Sequence, residues 1–597
     1  MVDYELRVLS HDAHLFEVRC SVERPDPTGQ RFSLPVWTPG SYLIREFARH
    51  VIGARGESNG RALEVEKIDK QTWQCAATDA PVTFIYEVYA FDLSVRGAYL
   101  DRGRGFVNGA AVFVWAHGFE QHQASLRIIA PAQSAWRVAT AMPAVEIDTR
   151  GFGSYRSADY DELIDHPIEL GDFVLQQFEI QGVGHQIAIT GAPGDTDFGR
   201  LTADVARLCH EHIRLFGAAP FERYLFQLLV VGDGYGGLEH RASTSLIASR
   251  KTLPRVGFDT NSEDYRTLLG LFSHEYFHAW NVKRIKPAAF VPYDLTREAY
   301  TRDLWVYEGI TSYYDDLALV RAGVIDEGAY LELLAQTITR VLRGAGRLKQ
   351  SVAESSFDAW IKFYRPDENA PNSLVSYYAK GSLIALMLDL ILRSETTVSL
   401  DHVMRALWQR YGQTCVGVPE GRFEALVEAL AGAGIARRLR TAISGTDDIP
   451  LEQLFAQFGI AMQLRAADSA DDKGGKPGKN GAARVSLGVR AEGKSDPKLV
   501  HVYDDGAAQA AGLAPGDQLM ALNGLRITEG LDAALKYHRA GARVNVHAFR
   551  RDQLFETQVQ LKQAPIDTCW LEIASAETSA QRALRQHWLS PVDDDAG

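Results

Sequence analysis

The segment Leu271–Trp280 places two histidines four residues apart in an apolar run, with a glutamate directly after the first. The run predicts a helix, and at 3.6 residues per turn His274 and His278 lie one above the other on a single face. Two imidazoles so placed can bind one Zn²⁺, and Glu275 can reach a water that the ion holds. The spacing therefore predicts a helix that carries a metal site, as in zinc-dependent hydrolases.

A chance match on a buried helix is the alternative, so the motif needs a third ligand. The candidate is Glu308, in the apolar and aromatic stretch Trp305–Asp315. A metal would offset the cost of burying its carboxylate, whereas most helix glutamates are simply exposed. Asp315 lies seven residues further on, two helical turns down the same face, and is predicted to orient a ligand imidazole.

Hydrolysis also needs groups that move protons and stabilise charge. A zinc-bound water is acidic, and Glu275 is placed to accept its proton and pass it to the leaving amine. An oxyanion needs a further donor, and Ser376–Gly381 offers two phenols, Tyr377 and Tyr378, at the head of a predicted helix. Packing is the alternative role for such a pair.

Length and composition limit the class of protein. A chain of 597 residues predicts three or four domains, and its 46% hydrophobic and 23% charged content is typical of a soluble globular protein. The net charge of -13 argues against nucleic acid as a partner. The N-terminus shows no signal peptide, and the most apolar run, about ten residues at 383–392, is too short to cross a membrane. Five scattered cysteines favour a reducing compartment, so we predict a cytoplasmic protein.

The pattern along the chain changes four times. Residues 1–175 read as strands and predict an all-β domain. Residues 176–466 are mainly helical, with one strand-like segment at Tyr224–Val231. Residues 467–482 have linker composition, 483–565 return to short strands, and 566–597 read as a tail with a helix and an acidic end.

Four motifs in chain order resemble the glycyl aminopeptidase family of zinc metallopeptidases, within the gluzincin (HExxH…E) group. They are Gly236–His240, His274–His278, Trp305–Gly309 and Tyr378–Gly381, with supporting segments at 35–42, 160–171 and 278–285. The resemblance covers nearly the whole chain. It implies a multidomain α+β protein with an N-terminal β domain, a thermolysin-like, mainly helical catalytic domain and a C-terminal PDZ domain. The spacer 279–307 is longer than in the broader aminopeptidase group, which fits the glycyl branch. Glu308 is therefore identified by its local Glu-Gly motif and not by its distance from His278.

The resemblance also implies roles for individual residues. It makes His274, His278 and Glu308 the ligands of one zinc per chain and Glu275 the general base. It selects Tyr378 over Tyr377 as the oxyanion donor. It assigns binding of the substrate's free amino terminus to Glu239 with Gly236 and Gly237, where a loop carboxylate would be the alternative. It further suggests a preference for small N-terminal residues, Gly and Ala.

The C-terminal region resembles a bacterial PDZ domain through Ser486–Val489, Gly512–Asp517 and Leu522–Gly524. In such a domain the loop containing Leu487, Gly488 and Val489 would bind a peptide's C-terminal carboxylate, and the adjacent strand edge would pair with the peptide. The alternative is a module used only for packing.

Taken together, the sequence predicts a zinc aminopeptidase that acts on peptides with a free N-terminus. Two other functions stay open. The chain would be a zinc endopeptidase if Glu239 does not face the site. It would be a PDZ-based adaptor if the hydrolase domain is inactive. We expect neither nucleic acid nor a membrane as partner.

Overall fold

The N-terminal region consists of three β-sheets around one large apolar core. A computed structural model describes residues 1–132, 134–258, 262–479 and 484–590. The largest sheet has eight strands, in the order Ala144–Ile147, Gly153–Ser157, Ala124–Ile128, Val2–Ser10, Leu15–Val22, Val82–Tyr89, Val51–Ser58 and Arg61–Leu63. Two four-stranded sheets accompany it: Arg137–Ala139, Ile168–Gly171, Arg104–Val107 and Ala98–Leu100; and Trp115–Ala116, Arg31–Ser33, Thr72–Cys75 and Val65–Lys67. The predicted β-rich N-terminal domain is confirmed.

A five-stranded sheet follows, in the order Val174–Ile180, Val183–Thr190, Arg223–Val231, Ser243–Ser249 and Tyr235–Glu239. The prediction of a single strand in this region was wrong. Ser243–Ser249 is rich in hydroxyl groups, yet it is almost entirely buried. Thr244 Oγ1 donates to the Leu238 carbonyl at 3.0 Å and Ser245 Oγ donates to Gln227 Oε1 at 2.9 Å. Tertiary hydrogen bonds that satisfy these hydroxyls make the polar strand stable inside the sheet.

Two long helices accompany this sheet, Phe198–Phe216 and Glu263–Phe277. The second begins before the predicted helical run Leu271–Trp280 and ends within it, because the chain turns at His278. Val282, with φ of +99°, then takes a conformation that β-branched residues rarely adopt. The histidine motif therefore lies at the C-terminal end of its helix.

The remaining helices are concentrated between residues 300 and 460. Their bounds are Ile310–Arg321, Glu327–Arg343, Val352–Phe357, Ala370–Ser373, Ala379–Glu395, Leu400–Leu407, Arg422–Ala431, Ala433–Ser444 and Leu451–Gln457, with π-helical turns at Trp305–Gly309, Ala359–Phe363 and Trp408–Gly412. Further short helices are Phe47–His50, Gly109–Val112, Tyr160–Ile164, Arg250–Thr252, Ala288–Phe290 and Ala345–Leu348. No helix within the described ranges is long and apolar enough to cross a membrane.

The C-terminal module has its own core and a small sheet. Its strands are Val489–Glu492, Lys498–Val502, Gln518–Leu522, Arg543–Arg550 and Gln553–Gln560, with Leu525–Arg526 paired to the third and with short helices at Ala507–Ala510 and Leu531–Leu535. Val485–Ser486 pairs with Lys562–Gln563. Of the predicted linker 467–482, residues 480–482 lie outside the described residues, as do residue 483 and the acidic end 591–597.

The segment after residue 565 returns to the helical region. Strand Ile566–Ile573 pairs antiparallel with Ile460–Ala466. Helix Ser579–Leu589 inserts a fully buried Trp588, whose indole N–H donates to the Tyr313 hydroxyl at 2.8 Å. This predicted tail therefore contributes to the core.

The chain divides into two compact units. The first comprises Met1–Ala299 and Leu407–Pro419, and the second comprises Tyr300–Ala406 and residues 420–590. The histidine motif and the five-stranded sheet belong to the first unit. Glu308, the tyrosine pair and the C-terminal module belong to the second. A multidomain α+β architecture is thereby confirmed.

Candidate active site

The two histidines of the first unit direct ring nitrogens toward one point. Ser262 caps their helix by accepting the N–H of Tyr265 at 3.2 Å. The Nε2 atoms of His274 and His278 lie 3.1 Å apart. In a tetrahedral zinc site with Zn–N distances of 2.0–2.1 Å, two ligand nitrogens are about 3.3 Å apart. The pair therefore fits a metal ion.

A backbone carbonyl fixes the orientation of one of these rings. His278 Nδ1 lies 2.8 Å from the carbonyl oxygen of Asn281. A carbonyl oxygen only accepts, so Nδ1 carries the proton and Nε2 presents its lone pair. The tight turn that contains Val282 brings this carbonyl back beneath the ring, and Val282 N–H donates to the Ile285 carbonyl at 2.8 Å. The turn thus holds a strained residue four positions after a ligand candidate.

The helix behind the motif is held by buried polar and aromatic contacts. Tyr276 hydrogen-bonds to His185 Nε2 at 2.8 Å, and its ring lies 4.8 Å from that of Tyr224. On the preceding turn, Ser273 hydrogen-bonds to His212 Nε2 at 2.8 Å. These contacts restrict rotation of the helix about its axis, so the histidine face keeps its direction.

A buried ionic cluster supports the turn after the motif. Lys283 Nζ lies 2.6 Å from Asp165 Oδ1, and His240 Nδ1 lies 3.6 Å from the same oxygen. Burial opposes ionisation of Asp165, but the Lys283 ammonium and the His240 side chain hold the pKa of its carboxyl well below the usual range. Burial lowers the pKa of His240. An ammonium–carboxylate pair therefore ties the segment after the helix to the predicted supporting segment 160–171.

Strand Tyr235–Glu239 forms the edge of the five-stranded sheet and passes directly beside the general-base candidate. A Cβ added to Gly237 would lie 2.1 Å from Glu275 Oε1, so a larger residue cannot fit without moving that carboxylate. Gly236 has φ of +155°, which also favours glycine. Both predicted glycines are therefore required by local geometry, and Glu275, 5% exposed, is confined on this side.

Glu239 ends the same strand and faces the histidine motif. Ligand atoms of Glu239, Glu275 and His278 all lie within 4.8 Å of one another. Glu239 is 4% exposed, and its Oε1 has no hydrogen-bond partner among the described residues. A buried carboxylate oxygen without a donor is costly unless a cation meets it. Glu239 is thus a site for a positive charge, either a metal ion or an ammonium group.

A loop of the N-terminal domain covers Glu239. A Cβ on Gly40, which has φ of +91°, would lie 2.5 Å from both of its carboxylate oxygens. The loop belongs to the segment 35–42, whose Trp37 indole N–H donates to the Asp294 carbonyl at 2.8 Å. Sequence reasoning had noted this segment without assigning it a place. The structure places it directly against the carboxylate of Glu239.

In the second unit, Glu308 lies within the π-helical turn Trp305–Gly309 and is 2% exposed. Such turns are often found at functional sites. A Cβ on Gly309 would lie 2.8 Å from the backbone of Gly381, so the glycines of the two predicted motifs pack against each other. This contact brings the Glu-Gly and Tyr-x-Lys-Gly motifs together within one unit.

The two tyrosines of the second motif differ in environment. Tyr377 is fully buried, and burial, together with the nearby Tyr364 and the charge of Glu308, raises the pKa of its phenol. Tyr378 is half-buried, and its hydroxyl lies 3.2 Å from that of Tyr364. The motif lysine, Lys380, donates to the carbonyls of Arg347 and Thr446. Tyr378 is therefore the more accessible phenol, and Tyr364 is a partner that sequence reasoning missed.

The structure also locates Asp315 and the predicted carboxylate-binding loop. Asp315 is half-buried on helix Ile310–Arg321. The prediction that it lies on the same helix face as Glu308 assumed a regular α-helix, whereas Glu308 lies in a wider π-helical turn. In the C-terminal module, Leu487 is buried, Gly488 has φ of +71°, and Val489 begins the edge strand of its sheet. The predictions for Asp315 and for this loop remain predictions.

Models of known protein families match two regions of the chain. Residues 3–172 match the Peptidase M61 N-terminal domain, and residues 267–384 match M61 glycyl aminopeptidase. A crystal structure of an aminopeptidase N family protein from Idiomarina loihiensis is 41% identical, with a TM-score of 0.95 over 99% of this chain and 100% of that one. An M1 zinc metallopeptidase from Deinococcus radiodurans is 15% identical, with a TM-score of 0.48 over 75% of this chain and 94% of that one, and this distant likeness carries no functional argument.

No curated protein matches the sequence. The two family matches occur in the expected order, and the second contains the histidine motif, Glu308 and Tyr378. The whole-length likeness to the Idiomarina protein extends beyond both matched regions. The chain belongs to the M61 glycyl aminopeptidase family of peptidases.

Proposed function

We propose that the chain is a zinc aminopeptidase that removes the N-terminal residue of peptides. One observation carries the proposal: the carboxylates of Glu275 and Glu239 converge with His278, whose Nε2 is paired with that of His274. The paired nitrogens suit a metal, the first carboxylate suits a base, and the second suits an ammonium group. An aminopeptidase needs these three elements side by side.

In this proposal His274, His278 and Glu308 hold one zinc ion per chain. Two imidazoles and one carboxylate are a common donor set of hydrolytic zinc sites, and the matched region 267–384 spans all three residues. The chemistry that such an ion supplies is acidification of a water and polarisation of the scissile carbonyl. Asp315 is proposed to orient one of the ligand imidazoles.

The remaining residues act on protons and charges. Glu275 accepts the proton of the attacking water and delivers it to the leaving amine. Gly237 at the strand edge confines its carboxylate and so holds it in position for this transfer. Tyr378 donates its phenol O–H to the oxyanion, oriented by its contact with Tyr364. All residues that this chemistry needs are present, which disfavours an inactive adaptor.

Glu239 determines that cleavage follows the first residue. Its unsatisfied oxygen binds the substrate's α-ammonium, and Gly236 and Gly237 let the peptide backbone approach the strand edge. The Gly40 loop covers the carboxylate, so a chain continuing upstream of the N-terminal residue would meet this loop. This favours exopeptidase over endopeptidase action. The proposed preference for Gly and Ala rests on family membership alone.

Two substitutions separate the metal-binding and amine-binding roles. We expect His278→Ala to lose the metal, and Glu239→Ala to keep it while kcat/KM for Ala-p-nitroanilide falls at least about tenfold, the effect of one charge-assisted contact. Metal content by mass spectrometry and initial rates provide the measurements. N-acetyl-Ala-p-nitroanilide serves as the blocked substrate. Metal loss in Glu239→Ala would make Glu239 a ligand, and equal turnover of free and blocked substrates would exclude the exopeptidase.

We also propose that the C-terminal module is a PDZ domain that binds peptide C-termini. Strand Val489–Glu492 lies at a sheet edge, and the turn at Gly488 precedes it directly. Such an edge accepts an extended peptide as an added strand. N-acetylated peptides cannot use Glu239 as an amine site, so fluorescence anisotropy with these peptides tests the module separately. Binding should require a free C-terminal carboxylate, and identical binding of the C-terminal amides would exclude this proposal.

A further inference from the structure

An arginine of the N-terminal domain lies over the edge strand of the candidate site. Arg96 Nη2 donates to the Gly237 carbonyl at 3.2 Å, across 141 residues of sequence. Its backbone is held on both sides, because its N–H donates to Ser94 Oγ at 3.2 Å and its carbonyl accepts from the fully buried Asn108 at 3.0 Å. The guanidinium is therefore positioned by the fold.

Among the residues that the structure describes, this cation has no anionic partner. Within the described residues Arg96 forms no ion pair, and its Nε is buried without a hydrogen bond. Asp92 in the same loop instead accepts the N–H of Ser94 at 2.9 Å. A guanidinium has five N–H donors, and the Gly237 carbonyl uses one of its terminal groups. A half-buried arginine with unused N–H donors is suited to bind a carboxylate in a bidentate manner.

The position of this cation along the strand defines which part of a peptide it can meet. Arg96 Nη1 lies 3.7 Å from the point that a Cβ on Gly236 would occupy. The Leu238 carbonyl points into the sheet, toward Thr244, whereas the Gly237 carbonyl points outward, toward Arg96. In a strand the N–H and C=O of one residue point the same way, so Gly237 also presents its N–H at the outer edge.

A peptide anchored at Glu239 can follow this edge in one direction only. Glu239 is the last residue of the strand, so the peptide must run back toward Gly236, antiparallel to it. At about 3.3 Å per residue, the distance from Glu239 to Gly236 corresponds to about 10 Å of extended chain. An extended dipeptide spans about 7 Å and a tripeptide about 10 Å. The free carboxylate of such a short peptide would therefore end beside Arg96.

We propose that Arg96 binds the C-terminal carboxylate of the substrate, so that di- and tripeptides are the preferred substrate class. The proposal rests on the proposed aminopeptidase function, in which Glu239 holds the opposite end of the peptide. Two fixed charges of opposite sign along one strand edge then measure the length of the substrate.

The test compares Ala-Ala-Ala with its C-terminal amide in the full-length protein. The wild type should hydrolyse the free acid with a kcat/KM at least about tenfold above that of the amide. Arg96→Ala should abolish this difference by lowering the rate for the acid alone, and Arg96→Lys should retain part of it. Arg61→Ala, at an exposed arginine of the same domain, should keep the wild-type ratio.

The possible failures are distinguishable. Equal rates on acid and amide in the wild type would overturn the role of Arg96 while leaving an aminopeptidase. If Arg96→Ala slows both peptides equally, the residue only holds the Gly237 carbonyl, and the proposal is wrong. If neither peptide is cleaved, the proposed function fails. Calorimetric titration of the Glu275→Gln variant with both peptides then tests carboxylate binding by Arg96 without requiring hydrolysis. Equal affinities there would exclude carboxylate binding by Arg96.

Discussion

Replacing Glu275 with Gln is expected to lower kcat by about 10²–10⁴-fold, the range that a positioned general base contributes, while the metal stays bound. Gln fills nearly the same volume beside Gly237 but has no basic oxygen that can take a proton at neutral pH. The two histidine nitrogens, 3.1 Å apart, are left in place by this change. Rates on Ala-p-nitroanilide and metal content per chain are the two measurements.

Glu222→Gln is a matched control for this prediction, because it makes the same chemical change at an exposed position of the same unit. It should leave both readouts at the wild-type level. Activity within a few-fold of the wild type in Glu275→Gln would show that another group takes the proton. Loss of the metal in that variant would instead assign Glu275 to metal binding.

Gly237→Ala is expected to lower kcat/KM by about 100-fold, the typical effect of moving a catalytic group by about 1 Å. The added methyl carbon would lie 2.1 Å from Oε1 of Glu275 and 2.6 Å from its Cγ, so the carboxylate must move. The fold should tolerate this, since the displaced atoms belong to a side chain. Thermal unfolding and steady-state kinetics together separate the catalytic effect from a loss of stability.

The chain offers a close control for this substitution. Gly184 lies on strand Val183–Thr190 of the same sheet, and a Cβ there meets nothing within 4 Å. Gly184→Ala should therefore keep wild-type kinetics. If Gly237→Ala is equally active, then the base can work from another position, and its confinement by the strand edge has no role in the reaction.

The histidine helix illustrates how local pattern alone predicts a feature. A helical run, a fixed spacing of four and a neighbouring glutamate are short-range properties, so they place His274 and His278 on one face without knowledge of the fold. The same holds for the strand-like segment Tyr224–Val231, which is observed as the strand Arg223–Val231. The strand Ser243–Ser249 was missed because its hydroxyls make the segment polar, and their partners on Leu238 and Gln227 lie on other strands.

Long-range contacts account for the other differences. The π-helical turn at Glu308 accompanies the contact of Gly309 with Gly381, seventy-two positions later in the sequence. Tyr364 was missed for a similar reason, because its contact with Tyr378 depends on how the chain folds back between them. Neither the wider turn nor the contact of Tyr364 has a local signal in the sequence.

The sequence by itself determined the chemistry available to this protein: two imidazoles and a carboxylate on one helix turn, a Gly-Gly-Leu-Glu strand, and the family to which these belong. Only the tertiary structure decided what surrounds them. It placed Gly40 over Glu239 and Arg96 over Gly237, two contacts between parts of the chain that lie far apart in sequence. The physical reason is that residue spacing sets geometry within one element, whereas the charge and space around a site depend on which elements pack together.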